Sequence, residues 1–275
     1  MSGTERLYDL SLGTNDFAAW EGAPHRTLMV CSHPRSGSTL LGEAIHFAGG
    51  LGCPLEYLHR GFRPTLAGRW RAPDLGSYVA AMHRWRTDPS GVFSIKLFWQ
   101  DIEEIAHERA PDRFPPPRIL SPDDSDDATY RAYHNLLADI LPNPTMILLE
   151  RRDIVRQAVS AMIASQTGLW RAIPGVGLSE ARGAADYDYE RILGLVSLGR
   201  DSADHWTRYF RAIDVQPARV VYEDLVRDYA ATVGALLADL GRPGEAPPQR
   251  MRRQSDAIGE AMVLRFLREH AMRQA

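Results

Sequence analysis

The chain predicts an α/β protein, a three-layer P-loop-like fold with a central, mostly parallel sheet flanked by helices. Two observations predict it. Four short runs, 27–32, 92–99, 145–150 and 219–222, are apolar on both faces, as strands buried inside a parallel sheet must be. Between them stand segments with helical apolar spacing, 39–48, 130–140, 154–166, 191–213 and 225–240, and strands alternating with helices build parallel sheets. A chain of 275 residues with 44% hydrophobic content can bury one large core. A single domain over 1–275 is therefore expected, its core at about 27–256.

The first strand ends at Cys31-Ser32, and His33-Pro34-Arg35-Ser36-Gly37 joins it to a helix that begins around Ser38-Thr39. Amides without intrahelical acceptors and the helix dipole make such a terminus an anion site, and a glycine allows close approach. Ser36, Ser38 and Thr39 add hydroxyl donors, and Arg35 adds a guanidinium fork. The kinase loop G-x-x-x-x-G-K-[ST] is absent, since its first glycine and its lysine are missing. So short a loop suits a single diester-like phosphate better than a triphosphate. From the loop alone, an ordinary turn capped by Ser38 is the competing reading.

The second strand carries Lys96, the only lysine among 32 Lys and Arg residues. An ammonium inside an apolar strand is costly unless an anion meets it. Lys96 is expected to point into a site, the alternative being a side chain that snorkels from the strand end. Upstream, Glu56 follows Pro54 in an apolar segment, where partial desolvation suits a carboxylate to accept a proton. Glu43 competes for that role from the first helix, and His59 and His46 are reserve bases.

The third strand runs into "RRDIVRQAVS", which places Arg151 and Arg152 at its carboxyl end and Ser160 about two turns into the following helix. Open α/β sheets bind ligands at that edge; pairing of an arginine with Asp153 is the alternative. The fourth strand leads into "YEDL", and no chemistry is assigned to Glu223 or Asp224. The stretches 111–128 and 171–186 interrupt the alternation and read as surface loops, the acidic "PDDSDD" as a solvated turn rather than a metal site. Trp99 reads as core, whereas Trp170 can stack on a sugar or on adenine.

Formal charge is −3 and the pI about 6.3, which argues against a broad nucleic-acid-binding surface. Arginine carries nearly all the positive charge, so any anion site is arginine-lined. Cys31 and Cys53 match no zinc or CxxC spacing and read as reduced thiols. The first residues lack a signal-type apolar segment, and nowhere do roughly 18 apolar residues run together. No membrane span and a cytoplasmic location are expected.

P-R-S-G-S-T-L-L after a strand resembles the 5′-phosphosulfate loop of sulfotransferases that use 3′-phosphoadenosine 5′-phosphosulfate (PAPS). With "CPLEYL" (53–58), "FSIKLFW" (93–99), "LLERRDIVRQAVSAMIASQTGLW" (148–170) and "RRQSD" (252–256), the chain resembles the bacterial trehalose 2-sulfotransferase family. The resemblance implies the sulfotransferase fold, PAPS as donor, 3′-phosphoadenosine 5′-phosphate (PAP) as product, and no metal. It also implies a carbohydrate acceptor such as trehalose and a homodimer that helps shape the acceptor site. It makes Glu56 the general base, gives the 5′-phosphosulfate to Arg35, Ser36, Gly37, Ser38 and Thr39, and gives the 3′-phosphate to Arg151 with Ser160. The general sulfotransferase spacing favours Arg152 in place of Arg151. Lys96 is assigned to the moving sulfuryl group or its bridging oxygen. Arg253 and Gln254 close over the nucleotide, unless that segment is a helical surface patch. Acceptor choice is placed in 59–77 and 171–186. A P-loop small-molecule kinase and a non-catalytic nucleotide-binding homologue are the alternatives.

Overall fold

The computed structural model describes residues 9–118, 120–170, 185–250 and 257–275. Strands β1 (Arg26–Ser32), β2 (Val92–Phe98), β3 (Pro144–Glu150) and β4 (Ala218–Val221) form one parallel sheet in the order β2-β1-β3-β4. The helices are α1 (Ser38–Ala48), α2 (Arg63–Trp70), α3 (Leu75–Arg86), α4 (Trp99–Arg109), α5 (Asp127–Ala138), α6 (Ile154–Thr167), α7 (Tyr189–Ala212), α8 (Tyr222–Arg227), α9 (Tyr229–Asp239) and α10 (Ala257–Gln274).

The sheet is covered on both faces, which is why its strands read as continuous apolar runs. On β1, Met29 and Cys31 face Ile95 of β2, Ile102 of α4, Tyr130 of α5 and Trp206 of α7. Leu28 and Val30 point the other way, onto Leu41 and Ile45 of α1 and Val233 and Leu237 of α9. Beyond the sheet, α6, α7 and α10 share a smaller core around Met162, Ile192 and Phe266.

Several helices lie where the sequence pattern predicts none or a different one. Part of 59–77, read as loop, forms α2 and the start of α3, the latter held by a capping box between Asp74 and Ser77. The run 225–240, read as one helix, is broken at Asp228, whose carboxylate accepts the Ala231 N–H and starts α9 afresh. A side chain that hydrogen-bonds its own backbone competes with helix continuation. In "PDDSDD" the carboxylates are engaged with neighbours: Asp126 caps α5, while Asp123 and Asp127 pair with Arg208 and Arg211 of α7.

Two features of this frame create a site. The chain leaves β1 for β2 on one side and later returns as β3 on the other, so the carboxyl end of β1 is a topological switch point, where open sheets bind ligands. In addition, 52–56 runs along the outer edge of β2, where Leu55 bridges to Ile95 and its carbonyl accepts the Lys96 N–H at 2.9 Å. Gly52 (φ +77) makes that approach possible, because a Cβ there would lie 2.7 Å from Ser94 Oγ and 2.9 Å from Ser94 N.

Candidate active site

The loop after β1 carries two residues in the left-handed region, Arg35 (φ 67) and Gly37 (φ 88). Gly37, not Ser38, is the N-cap of α1, and no side chain caps this helix end. The amides of the first turn therefore face the loop without an intrahelical acceptor, as an anion cradle requires. Ser36 is turned inward: its hydroxyl donates to the His33 carbonyl at 2.7 Å, which shapes the loop. Gln157 of α6 donates to the Pro34 carbonyl at 2.8 Å. Trp206 of α7 donates to the Ser32 carbonyl at 3.1 Å. Neither contact is visible in sequence, because each partner lies more than a hundred residues away.

Gly37 has a second function. A Cβ at this position would lie 2.5 Å from Cδ2 of Tyr222, so the tyrosine ring packs directly on the loop backbone. On that ring sits the Arg151 guanidinium, 4.5 Å from its centroid, a cation–π arrangement. Arg151 also donates to the Arg35 carbonyl at 2.8 Å. The guanidinium of Arg35 reaches α6, where Nε donates to Ser160 Oγ at 3.0 Å, and it also donates to the Trp170 carbonyl. Arg35, Arg151 and Ser160 thus form one connected group at the carboxyl edge of β1 and β3.

Arg152 lies apart from that group. Its guanidinium is paired with Asp224 at 2.8 Å and its side chain is 61% exposed. The adjacent Glu223 accepts the amides of Arg152 and Asp153, each at 3.1 Å. The "YEDL" segment is thus the clamp that fixes the turn after β3, with Tyr222 toward the loop and Glu223 and Asp224 toward the backbone and side chain of Arg152. The loop-packing role of Tyr222 went unread in the sequence.

Lys96 extends from β2 beneath α1, its side chain 4% exposed, and its ammonium meets Glu56 Oε1 at 2.9 Å and Thr39 Oγ1 at 3.4 Å. Glu56 retains partial access to solvent, with its side chain 16% exposed. Forty positions separate the pair in sequence; the edge pairing of Leu55 with β2 brings them together. The contact to Thr39 links this acid–base pair to the first turn of the helix that follows the loop.

The competing groups lie elsewhere or are differently engaged. Glu43 is buried on α1. His46 donates through Nδ1 to the Gly52 carbonyl, 3.1 Å away, and belongs to a buried cluster with Cys53 and Arg86. Burial would push the Cys53 thiol up, but hydrogen bonding to His46 and the charge of Arg86 hold it below its ordinary value. Arg86 is fully buried, paired with Asp16 at 2.9 Å and donating to the Leu10 carbonyl at 2.7 Å. This cluster anchors the segment leading to Glu56. Trp99 is buried and stacks on His205 at 4.8 Å, whereas Trp170 is 50% exposed. Arg253, Gln254 and 171–184 lie outside the described residues. Among the described residues there is no cluster of three or more metal-ligating side chains, and no helix long and apolar enough to cross a membrane.

The model of the family described as Stf0 sulphotransferase matches residues 27–269. A trehalose 2-sulfotransferase of Mycolicibacterium smegmatis is 28% identical, over 88% of this chain and 94% of that protein. One from Mycobacterium tuberculosis is 27% identical, over 89% and 95%. The crystal structure of a sulfotransferase from Alicyclobacillus acidocaldarius is 14% identical, covering 89% of this chain and 94% of that one with a TM-score of 0.46.

Proposed function

The chain belongs to the Stf0 sulphotransferase family, and from that premise we propose that it moves a sulfuryl group from PAPS to a hydroxyl of a sugar such as trehalose, with Glu56 as general base. The observation that carries this reading is the Glu56–Lys96 pair, 2.9 Å apart and tied through Thr39 to the helix after the loop. Sulfuryl transfer resembles phosphoryl transfer in resting on positioning and charge neutralisation rather than on covalent chemistry by the protein. The acceptor oxygen attacks sulfur, the bond from sulfur to the bridging oxygen breaks, the hydroxyl proton goes to Glu56, and PAP leaves with the electron pair.

In this reading the first-turn amides of α1, with Gly37, Ser38 and Thr39, hold the 5′-phosphosulfate, and Ser36, expected among its ligands, instead shapes the loop by donating to the His33 carbonyl. Arg35, Arg151 and Ser160 hold the phosphates on either side of the loop, with Arg151 rather than Arg152 toward the 3′-phosphate. Lys96 stabilises the charge that builds on the moving group and the bridging oxygen. Arg253 and Gln254 are assigned to closure over the nucleotide. No metal is assigned, since arginine and amides suffice for a phosphate leaving group.

The test is incubation with PAPS and a panel of sugars that includes trehalose, read by mass spectrometry. Gain of one sulfuryl group on a sugar supports the proposal, and its absence across the panel refutes the acceptor class. We further propose a cytoplasmic homodimer, as the family resemblance implies; sedimentation equilibrium at micromolar concentration that gives only the 30.8 kDa chain rejects the dimer.

A further inference from the structure

His59 shares a turn with Glu56. The Glu56 carbonyl accepts the His59 N–H at 3.1 Å, so the two α-carbons are within about 7 Å, as in any such turn. The backbone is then fixed from the other side, since the His59 carbonyl accepts the amides of Phe62 and Arg63 at 2.9 and 3.0 Å where α2 begins. The imidazole is held as well. It stands edge-on to Phe98, the last residue of β2 and two positions beyond Lys96, with centroids 6.1 Å apart and planes at 84°. Gly61 packs against it closely enough that a Cβ there would lie 3.1 Å from Nδ1 and 3.3 Å from Cε1.

The decisive contact is the Gly61 amide, which donates to His59 Nδ1 at 3.0 Å. A neutral imidazole has one donor and one acceptor nitrogen. With Nδ1 fixed as the acceptor, the ring proton sits on Nε2. Among the described residues Nε2 meets no hydrogen-bond partner. A half-buried ring with its backbone, plane and tautomer all set, and a single N–H left over on the turn that carries Glu56, is built to donate.

We propose that His59 binds the acceptor: Nε2–H donates to an oxygen next to the hydroxyl that Glu56 deprotonates, which selects vicinal polyols and sets which hydroxyl is sulfated. This rests on the sulfotransfer reading above. It also removes His59 as a reserve base.

The test compares His59→Gln, whose amide nitrogen falls near the Nε2 position, with His59→Asn, whose amide falls near Nδ1, and with His59→Ala. PAPS and trehalose, or the best acceptor of the sugar panel, are the probes. His59→Ala and His59→Asn are expected to raise the acceptor KM about tenfold, as the loss of one neutral hydrogen bond does. Turnover at saturating acceptor and the affinity for PAP should hold. His59→Gln should restore the KM to within a few-fold of wild type. Independently of activity, nitrogen-15 NMR of the free protein should show the neutral His59 ring protonated at Nε2, with assignment by its absence in His59→Gln. An unchanged KM in His59→Ala, a collapse of saturated turnover in all three variants, or a ring protonated at Nδ1 would each overturn the role of His59. A wild-type protein that sulfates no sugar refutes the sugar-acceptor reading on which this role rests, so the two failures are distinguishable.

Discussion

The guanidinium of Arg35 donates through Nε to the hydroxyl of Ser160 at 3.0 Å, across a separation of 125 positions. One hydrogen bond thereby joins the loop after β1 to α6, so the two segments assigned to opposite phosphates of the donor are physically coupled. Arg35 should therefore matter to the whole nucleotide and Glu56 only to the chemistry. Glu56→Gln keeps shape and hydrogen bonding while removing the proton acceptor, and turnover should fall about 10²–10⁴-fold with the PAP affinity retained. Arg35→Ala should weaken PAP binding and turnover together. Calorimetry beside steady-state kinetics checks both, and near-normal turnover in Glu56→Gln would remove it as the base.

Arg151 and Arg152 are adjacent in sequence but differently placed, the first stacked on Tyr222 and the second paired with Asp224. Arg151→Ala should reduce the preference for PAP over adenosine 5′-phosphate by roughly 10- to 100-fold, the worth of one charge-assisted contact. Arg152→Ala breaks only the exposed pair with Asp224, a contact worth about 0–1 kcal/mol, and should leave that preference intact. Calorimetry with both nucleotides decides the register, and a loss of preference in Arg152→Ala would reverse it.

Lys96→Met preserves bulk but leaves the Glu56 carboxylate without its ammonium. Stability should fall by about 3 kcal/mol, the low end for breaking a buried pair, because Glu56 keeps some solvent. Turnover should fall about 10²–10³-fold if the ammonium stabilises developing charge. The double variant Lys96→Met with Glu56→Gln should recover most of the stability and none of the activity. Urea titration of the three proteins measures the first expectation, and a double variant no more stable than Lys96→Met would show that the pair is not the cause.

Gly37→Ala places a methyl group against the Tyr222 ring and asks alanine to adopt φ 88. Weaker PAP binding is expected as the loop and Tyr222 separate. Combining it with Tyr222→Ala should relieve the clash but not the backbone cost, so recovery should be partial. Full recovery would assign the whole effect to the ring.

Acid should weaken the fold partly through His33 and His205. Burial holds both near a pKa of about 4, with Arg118 adding to the effect at His33 and Arg208 at His205, while the Leu120 carbonyl opposes it at His205. The unfolded value is about 6.5. Above that value both are neutral in either state and their contribution is complete. As pH falls from about 6.5 toward about 4 the unfolded chain takes up protons the folded one refuses, so stability drops, then levels off. Carboxylates titrate in the same range, so the informative quantity is the difference between wild type and His205→Gln. That difference should shrink between pH 7 and pH 5; a constant difference would rule out this source.

The strand and helix alternation, the loop at 33–37 and the cluster "RRDIVRQAVS" are local patterns, and all were legible in residue order because apolar spacing and turn chemistry are properties of neighbours. Of the unread helices α2, α3, α4 and α10, the first two lie in a stretch where Arg, Trp and Pro blur the apolar period, and the break at Asp228 depends on one side chain choosing its own backbone. The site itself shows the same division. Residue types announced that Lys96 needed an anion and that Glu56 was a candidate base. Their contact required β2 to have a free edge and Gly52 to let the chain lie against it. Two adjacent arginines were indistinguishable by chemistry until Tyr222 stacked on one and Asp224 took the other. For His59, read as a reserve base, only the fold shows that the Gly61 amide donates to Nδ1. Composition and spacing set which groups are available; which of them meet, and in which protonation state, follows from packing between segments far apart in the chain, where a single backbone amide or ring face decides between equivalent side chains.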